Sequence, residues 1–119
     1  MSRAVRVMLK DQAKAEFEKL EKIAGEQEAH GEKNSLEMQL LRSIRQKIEI
    51  IKANPVYGES IPKSKIPRGL NVSNLFRVSL TNYWRMVYTL EGNQVEVIAF
   101  VLYITNHPSY DRIFGYRKK

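Results

Sequence analysis

Two arginines set into alternating stretches are the residues of this chain best suited to chemistry. In Leu75-Phe76-Arg77-Val78-Ser79-Leu80 and Tyr83-Trp84-Arg85-Met86-Val87-Tyr88-Thr89-Leu90, a strand places Phe76, Val78 and Leu80, then Trp84, Met86, Tyr88 and Leu90, on one side. Arg77, Ser79 and Arg85 fall on the other. A guanidinium keeps its proton at neutral pH and presents a planar fork that matches phosphate oxygens, so two of them aimed off a rigid sheet predict a phosphate-bearing partner. For Leu80 and Trp84 to share the core face, the turn between the strands must hold an odd number of residues, most simply Thr81-Asn82-Tyr83. Arg85 then stands opposite Ser79. Arg77 is its diagonal neighbour at about 7–8 Å between backbones, a gap two long side chains can close on a phosphate. The competing expectation is that both arginines face solvent, paired to Glu96.

Two further clusters could serve the same chemistry. Val56 to Gly69 follows neither helical nor strand periodicity, is punctuated by Pro62, Pro67, Gly58 and Gly69, and carries Lys63, Lys65 and Arg68. After the last strand comes His107-Pro108-Ser109-Tyr110-Asp111-Arg112. An imidazole titrates near neutrality, which suits His107 to acid–base work, with Tyr110 and Asp111 as alternatives and Tyr110 also able to stack on a base. The chain has no cysteine, which removes disulfides, thiolate metal sites and cysteine nucleophiles, and its two histidines, His30 and His107, lie too far apart for a usual metal-ligand spacing. No metal and no cofactor are expected.

The elements that must position these groups follow from period. Ala4 to Leu9 is a short β-type run. From Asp11 the pattern is helical, with Ala13, Phe17, Leu20 and Ala24 on one stripe, ending at Gly25 or a turn later near Glu28. Asn34 and Glu37 have the spacing of a capping box and open a second helix with the stripe Leu36, Leu40, Ile44, Ile48 and Ile51, stopped by Asn54-Pro55. Three strands follow, Leu75–Thr81, Trp84–Leu90 and Gln94–Ile104, the last apolar enough from Val95 to Leu102 to be central. A two-residue turn at Gly92-Asn93 would set Phe100 and Leu102 beside the arginines; a three-residue turn would set Val97, Ala99, Val101 and Tyr103 there. Tyr57, Tyr83 and Tyr103 are expected at the core edge. The prediction is one α+β domain over residues 1–119: a small antiparallel sheet packed on one face by an N-terminal helical hairpin.

The 119 residues carry a net charge of +7, unevenly spread: eleven basic and nine acidic residues up to Asn54, nine and four from Pro55 onward. The excess falls on the arginine-bearing half, and nucleic acid is the commonest partner of such a field. No apolar run approaches the roughly 18 residues of a membrane span, and the N-terminus lacks an apolar signal segment. A soluble, cytoplasmic protein without a membrane partner is expected.

The order of elements, the Tyr83–Tyr88 segment Tyr-Trp-Arg-Met-Val-Tyr and the strand Phe76-Arg77-Val78-Ser79-Leu80 resemble the RelE/ParE toxin superfamily of type II toxin-antitoxin systems, over nearly the whole chain. His107-Pro108-Ser109-Tyr110-Asp111-Arg112 is similar to the His-x-x-Tyr-Asp-basic ending of the HigB-like branch. The resemblance implies a ribosome-dependent mRNA endonuclease that uses the RNA's own 2′-hydroxyl as nucleophile without a metal. It also implies an acidic antitoxin as partner, with a toxin–antitoxin heterotetramer as one assembly. By the same resemblance, Arg85 takes the position of the family's strand arginine and Arg77 that of a basic residue on the preceding strand. Ser79 stands where some members have a lysine, and Lys63 and Lys65 make up the charge. The expected catalytic set is Arg85, Arg77, Lys65, His107 and Tyr110, with Lys63, Arg68, Ser79, Arg112 and Arg117 along the RNA. The alternatives are a ParE-like inhibitor of DNA gyrase and a non-catalytic RNA- or protein-binding module of the same fold.

Overall fold

A computed structural model describes residues 3–114, and Arg117 lies outside the described residues. Strand β1 (Ala4–Leu9) leads into a hairpin of α1 (Asp11–Ala29) and α2 (Leu36–Ala53). A two-residue strand β2 (Glu59–Ser60) follows, then β3 (Phe76–Ser79), β4 (Trp84–Gly92), β5 (Glu96–Asn106) and a helix α3 (His107–Phe114). The architecture is α+β, with one five-stranded sheet in the order β1-β5-β4-β3-β2. The sheet is mixed, not antiparallel throughout: β1 runs parallel to β5, from Ala4 opposite Glu96 to Leu9 opposite Val101. The helical hairpin and three strands separate these two in the chain, so no tight turn dictates their direction. The apolar β5 thereby gains a neighbour on each edge. Among the described residues no helix is long and apolar enough to cross a membrane.

The helices bury the expected stripes with local shifts. Ala13, Leu20 and Ala24 of α1 are buried, with Phe17 packed at the margin. The helix runs past Gly25 to Ala29, where Gly31 (φ +89°) turns the chain and the N–H groups of Gly31 and Glu32 each bind a carbonyl of the last turn at 3.0 Å. The α2 cap is Ser35 rather than Asn34: the Ser35 hydroxyl accepts from the Met38 N–H at 3.1 Å. Glu37 does not reach back to the cap; it accepts a bond from the Gln27 amide at 2.8 Å, and that bond holds its carboxyl below the ordinary range. With the start moved by one residue, Leu36 is left 63 % exposed, and Met38 and Leu41 join Leu40, Ile44 and Ile51 inside.

Alternation divides the strands as period two requires. Val78, Leu80, Met86, Tyr88, Ala99, Val101 and Ile104 form one core with the hairpin helices. The turn Thr81–Tyr83 is a three-residue 3₁₀ turn with left-handed Asn82 and Tyr83, so Ser79 does stand opposite Arg85. Tyr83 does not pack at the core edge; it is 84 % exposed at the turn.

The arginine face is not an open face. Ile61, Leu75, Val87, Tyr110 and Phe114 are buried in a second apolar cluster, formed where α3 and the chain from Ile61 to Leu75 lie over β4 and β5. The segment that follows the last strand is the helix α3, to which period assigned no structure. Asn106 Oδ1 accepts from the Ser109 N–H at 3.0 Å and starts the helix, and proline is tolerated in a first turn, where its missing N–H has no intrahelical partner. The β4–β5 turn fits neither expected length: Gly92 pairs with Val97 across the residues 93–96. A bulge beside Val87 and Tyr88 then shifts the register, so Phe100 and Tyr103 both lie on the arginine side, opposite Thr89 and Val87.

One buried ring ties β4 to the chain after α2. The Tyr88 hydroxyl donates to the Pro55 carbonyl at 2.6 Å and accepts from the Gly58 N–H at 2.9 Å, and a Cβ on Gly58 would lie 3.0 Å from that hydroxyl and from the Arg77 carbonyl. Tyr88→Phe should lower stability by about 1–3 kcal/mol in urea unfolding, because it strands two main-chain groups. Burial pushes the Tyr88 phenol up, so folding favours its neutral form. That contribution is complete below the unfolded phenol's pKa of about 10 and falls away as pH rises toward the raised folded value. The wild type should therefore lose an increment of stability in strong base that Tyr88→Phe lacks.

Candidate functional site

Arg77 and Arg85 leave one face of the sheet and meet over a single ring. Arg77 Nη1 donates to the Tyr110 hydroxyl at 3.2 Å, while its Nε and Nη2 pair with the Glu59 carboxylate. The guanidinium carbon of Arg85 lies 5.2 Å from the Tyr110 ring centroid, within reach of a cation–π attraction, and its Nη1 donates to Ser79 Oγ at 3.3 Å. Neither arginine pairs with Glu96, which binds Arg6 at 3.3 Å. The Tyr110 bond holds the Arg77 guanidinium above its ordinary pKa, burial opposes this and Glu59 adds to it, so the charge is permanent.

The arginines border an opening that short β2 creates. Its two residues pair with Arg77 and Phe76 only, and the preceding Gly58 gives its N–H to Tyr88, so among the described residues no strand covers Val78 and Ser79 on the edge of β3 away from β4. There a cleft of about 400 Å³ is lined by Lys47 from α2, Tyr57, Glu59, Arg77, Val78, Ser79 and Arg85. Three cations face one carboxylate. Two buried polar atoms on the cross-strand pair Arg85 and Thr105, Arg85 Nε and Thr105 Oγ1, have no hydrogen-bond partner. Such atoms are scarce in folded proteins. The arrangement can bind an anion through fixed donors and stabilise charge that grows on it.

The other sequence-predicted residues stand outside this cleft. Lys63 and Lys65 are exposed on a 3₁₀ turn, with exposed Arg68 just beyond, and Ile61 and Ile66 anchor that segment in the second apolar cluster. Tyr110 is 2 % exposed and stacks on Phe114 at 4.5 Å, so its ring face is taken up within the protein. His107 opens α3 and pairs through Nδ1 with Asp111 Oδ2 at 3.2 Å, not with either arginine. Arg112 donates to Ser109 within the same helix at 3.1 Å. Among the described residues no group of three or more His, Asp or Glu gathers as metal donors.

Sequence reasoning missed Glu59, Lys47 and Tyr57. Glu59 offers no pattern signal, and Lys47 reads as an outer-face helix residue. The charge count, in which Glu59 is one of only four acidic residues after Asn54, is the one hint that it matters. Its side chain is 66 % exposed, so the ion pair with Arg77 is screened and worth under about 1 kcal/mol. Glu59→Gln should accordingly raise affinity for a simple polyanion such as inorganic tripolyphosphate several-fold in titration calorimetry at low salt, with the difference closing as salt is added.

No protein-family model, curated protein or solved structure matches the chain.

Proposed function

We propose that the protein is the toxin of a type II toxin-antitoxin system, a metal-independent endoribonuclease that cuts mRNA on the ribosome in the cytoplasm and is neutralised by an acidic antitoxin. The observation that carries this reading is the pair of arginines oriented over Tyr110 at the rim of a cationic cleft. The motif resemblance supplies the substrate. RNA cleavage by its own 2′-oxygen forms a bond to phosphorus and expels the 5′-oxygen, leaving a 2′,3′-cyclic phosphate. One proton leaves the 2′-hydroxyl and one arrives on the departing oxygen, while negative charge peaks on the equatorial phosphorane oxygens. Arg85 and Arg77 stabilise that charge. Tyr110 is a positioning residue: its hydroxyl and ring face orient both guanidinium groups. His107 moves a proton, with Asp111 on Nδ1 fixing the tautomer and leaving Nε2 to the substrate. Lys63, Lys65 and Arg68, with Ser79 and Arg112, guide the backbone.

The test is primer extension on translated message. The wild type should produce cuts, Arg85→Ala should lose a factor of about 10²–10³, and His107→Gln about 10², both in folded protein. Cleavage unchanged in Arg85→Ala would remove that residue from the reaction. No cleavage by the wild type, with gyrase inhibited instead, would overturn the nuclease reading in favour of the gyrase-directed one.

A further inference from the structure

The cleft extends past the arginines, and its far wall has a chemistry of its own. A hollow of about 630 Å³ between the end of α1 and α2 sets Glu21, Glu28 and Glu32 against Lys33, Arg42 and Arg45, so its charges cancel and select no ligand class. The arginine cleft is different, since Lys47 adds a third cation to Arg77 and Arg85. Lys47 Nζ lies over the ring of Tyr57, 5.7 Å from its centroid, and Tyr57 as a residue is 44 % exposed. A half-exposed aromatic ring with a lysine over it, in the same cleft as two phosphate-matching forks, has the composition of a single-stranded nucleotide site: stacking takes a base of any sequence and the cation takes its phosphate.

The route by which these two residues reach the site is also structural. Helix α2 packs on the opposite face of the sheet from the arginines, but the edge of β3 away from β4 is uncovered at Val78 and Ser79, so α2 and the turn after it meet the arginine face around that bare edge. The position of Tyr57 follows from Tyr88, whose hydroxyl binds Pro55 and Gly58 on either side of it. We propose that Lys47 and Tyr57 form a nucleotide subsite contiguous with the arginine pair, in which Tyr57 stacks on one base of single-stranded RNA and Lys47 binds the phosphate next to the one held by Arg85. This rests on the RNA-cleaving reading of the same cleft and adds to it where the neighbouring nucleotide lies. The subsite selects single strands over duplex, because a base paired and stacked within a helix cannot give its face to Tyr57.

The experiment measures binding of a short single-stranded oligoribonucleotide, and of an abasic strand of the same length, to the full chain over a range of salt. Tyr57→Leu should weaken binding of the base-bearing strand about tenfold and leave the abasic strand unchanged, while Tyr57→Phe keeps the wild-type affinity. Lys47→Gln should weaken both strands and reduce the salt slope by about 0.7, the value for one phosphate contact on a single strand. Equal effects of Tyr57→Leu on both strands, or a salt slope unchanged by Lys47→Gln, would overturn the subsite. If Arg85→Ala abolishes binding while Lys47→Gln and Tyr57→Leu bind like the wild type, the arginine site stands and the extension falls. If the wild type binds neither strand, the reading beneath it falls as well. Both side chains lie at the rim of the cleft, and matching melting temperatures establish that the variants are folded.

Discussion

Two permanent cations on a sheet face that is also half apolar must find polar partners where they stand, and one tyrosine is a partner of both. Tyr110 offers its hydroxyl to Arg77 and its ring face to Arg85, and is itself 2 % exposed. It packs against Phe114, one helical turn further along α3, at a ring separation of 4.5 Å. The formation of α3, the sealing of the second apolar cluster and the aim of the arginines are therefore coupled. Without α3, Val87 and Leu75 would face water and the guanidinium groups would lose the partners that offset their partial desolvation. A scaffold that orients charge in this way before a ligand arrives spares the reorganisation that a flexible pair of side chains would need.

The placement of the arginines on a common face was legible because it depends only on local parity. Period two along β3 and β4 plus an odd turn leaves a single arrangement, and Ser79 opposite Arg85 is that arrangement. Parity arguments fail where one residue is inserted: the bulge at Val87 and Tyr88 puts Phe100 and Tyr103 on the same side, which neither simple turn length allows. The α2 cap slipped by one residue for a related reason, since Asn34 and Ser35 are both good caps and only packing chooses between them. The helix α3 escaped notice because it is eight residues long and begins His-Pro, a dipeptide that reads as a break unless Asn106 is recognised as its cap.

Long-range partners were the part of the site that pattern could not reach. Glu59 lies 18 residues from Arg77 in the chain and Tyr110 lies 33 residues from it, and no periodicity links them. The same is true of two amides that complete the sheet. Gln12 exchanges two 3.0 Å bonds with the main chain of Ile104 beyond the last residue of β1, and Asn74 binds both main-chain groups of Leu90 beyond the start of β3. In each case a side chain continues a ladder that the backbone has left, which satisfies strand groups that would otherwise be stranded. Short β2 creates the converse: the edge of β3 stays open, and the cleft occupies the gap.

The two arginines are held differently, and this sets an order of engagement for any phosphate that enters under the proposed reading. Arg85 is matched by a ring face and a neutral hydroxyl, neither of which cancels its charge, so it offers the cleft an uncancelled cation. Arg77 carries a carboxylate on its fork, and its remaining Nη1 bond goes to Tyr110. An incoming phosphate gains Arg85 first and must displace Glu59 to gain Arg77. Because Glu59 is largely exposed, the displaced carboxylate returns to water at little cost. The carboxylate thus occupies the anion position of the fork when no phosphate is present, keeping Arg77 extended from the sheet, and the exchange of one oxyanion for another leaves the Tyr110 contact in place.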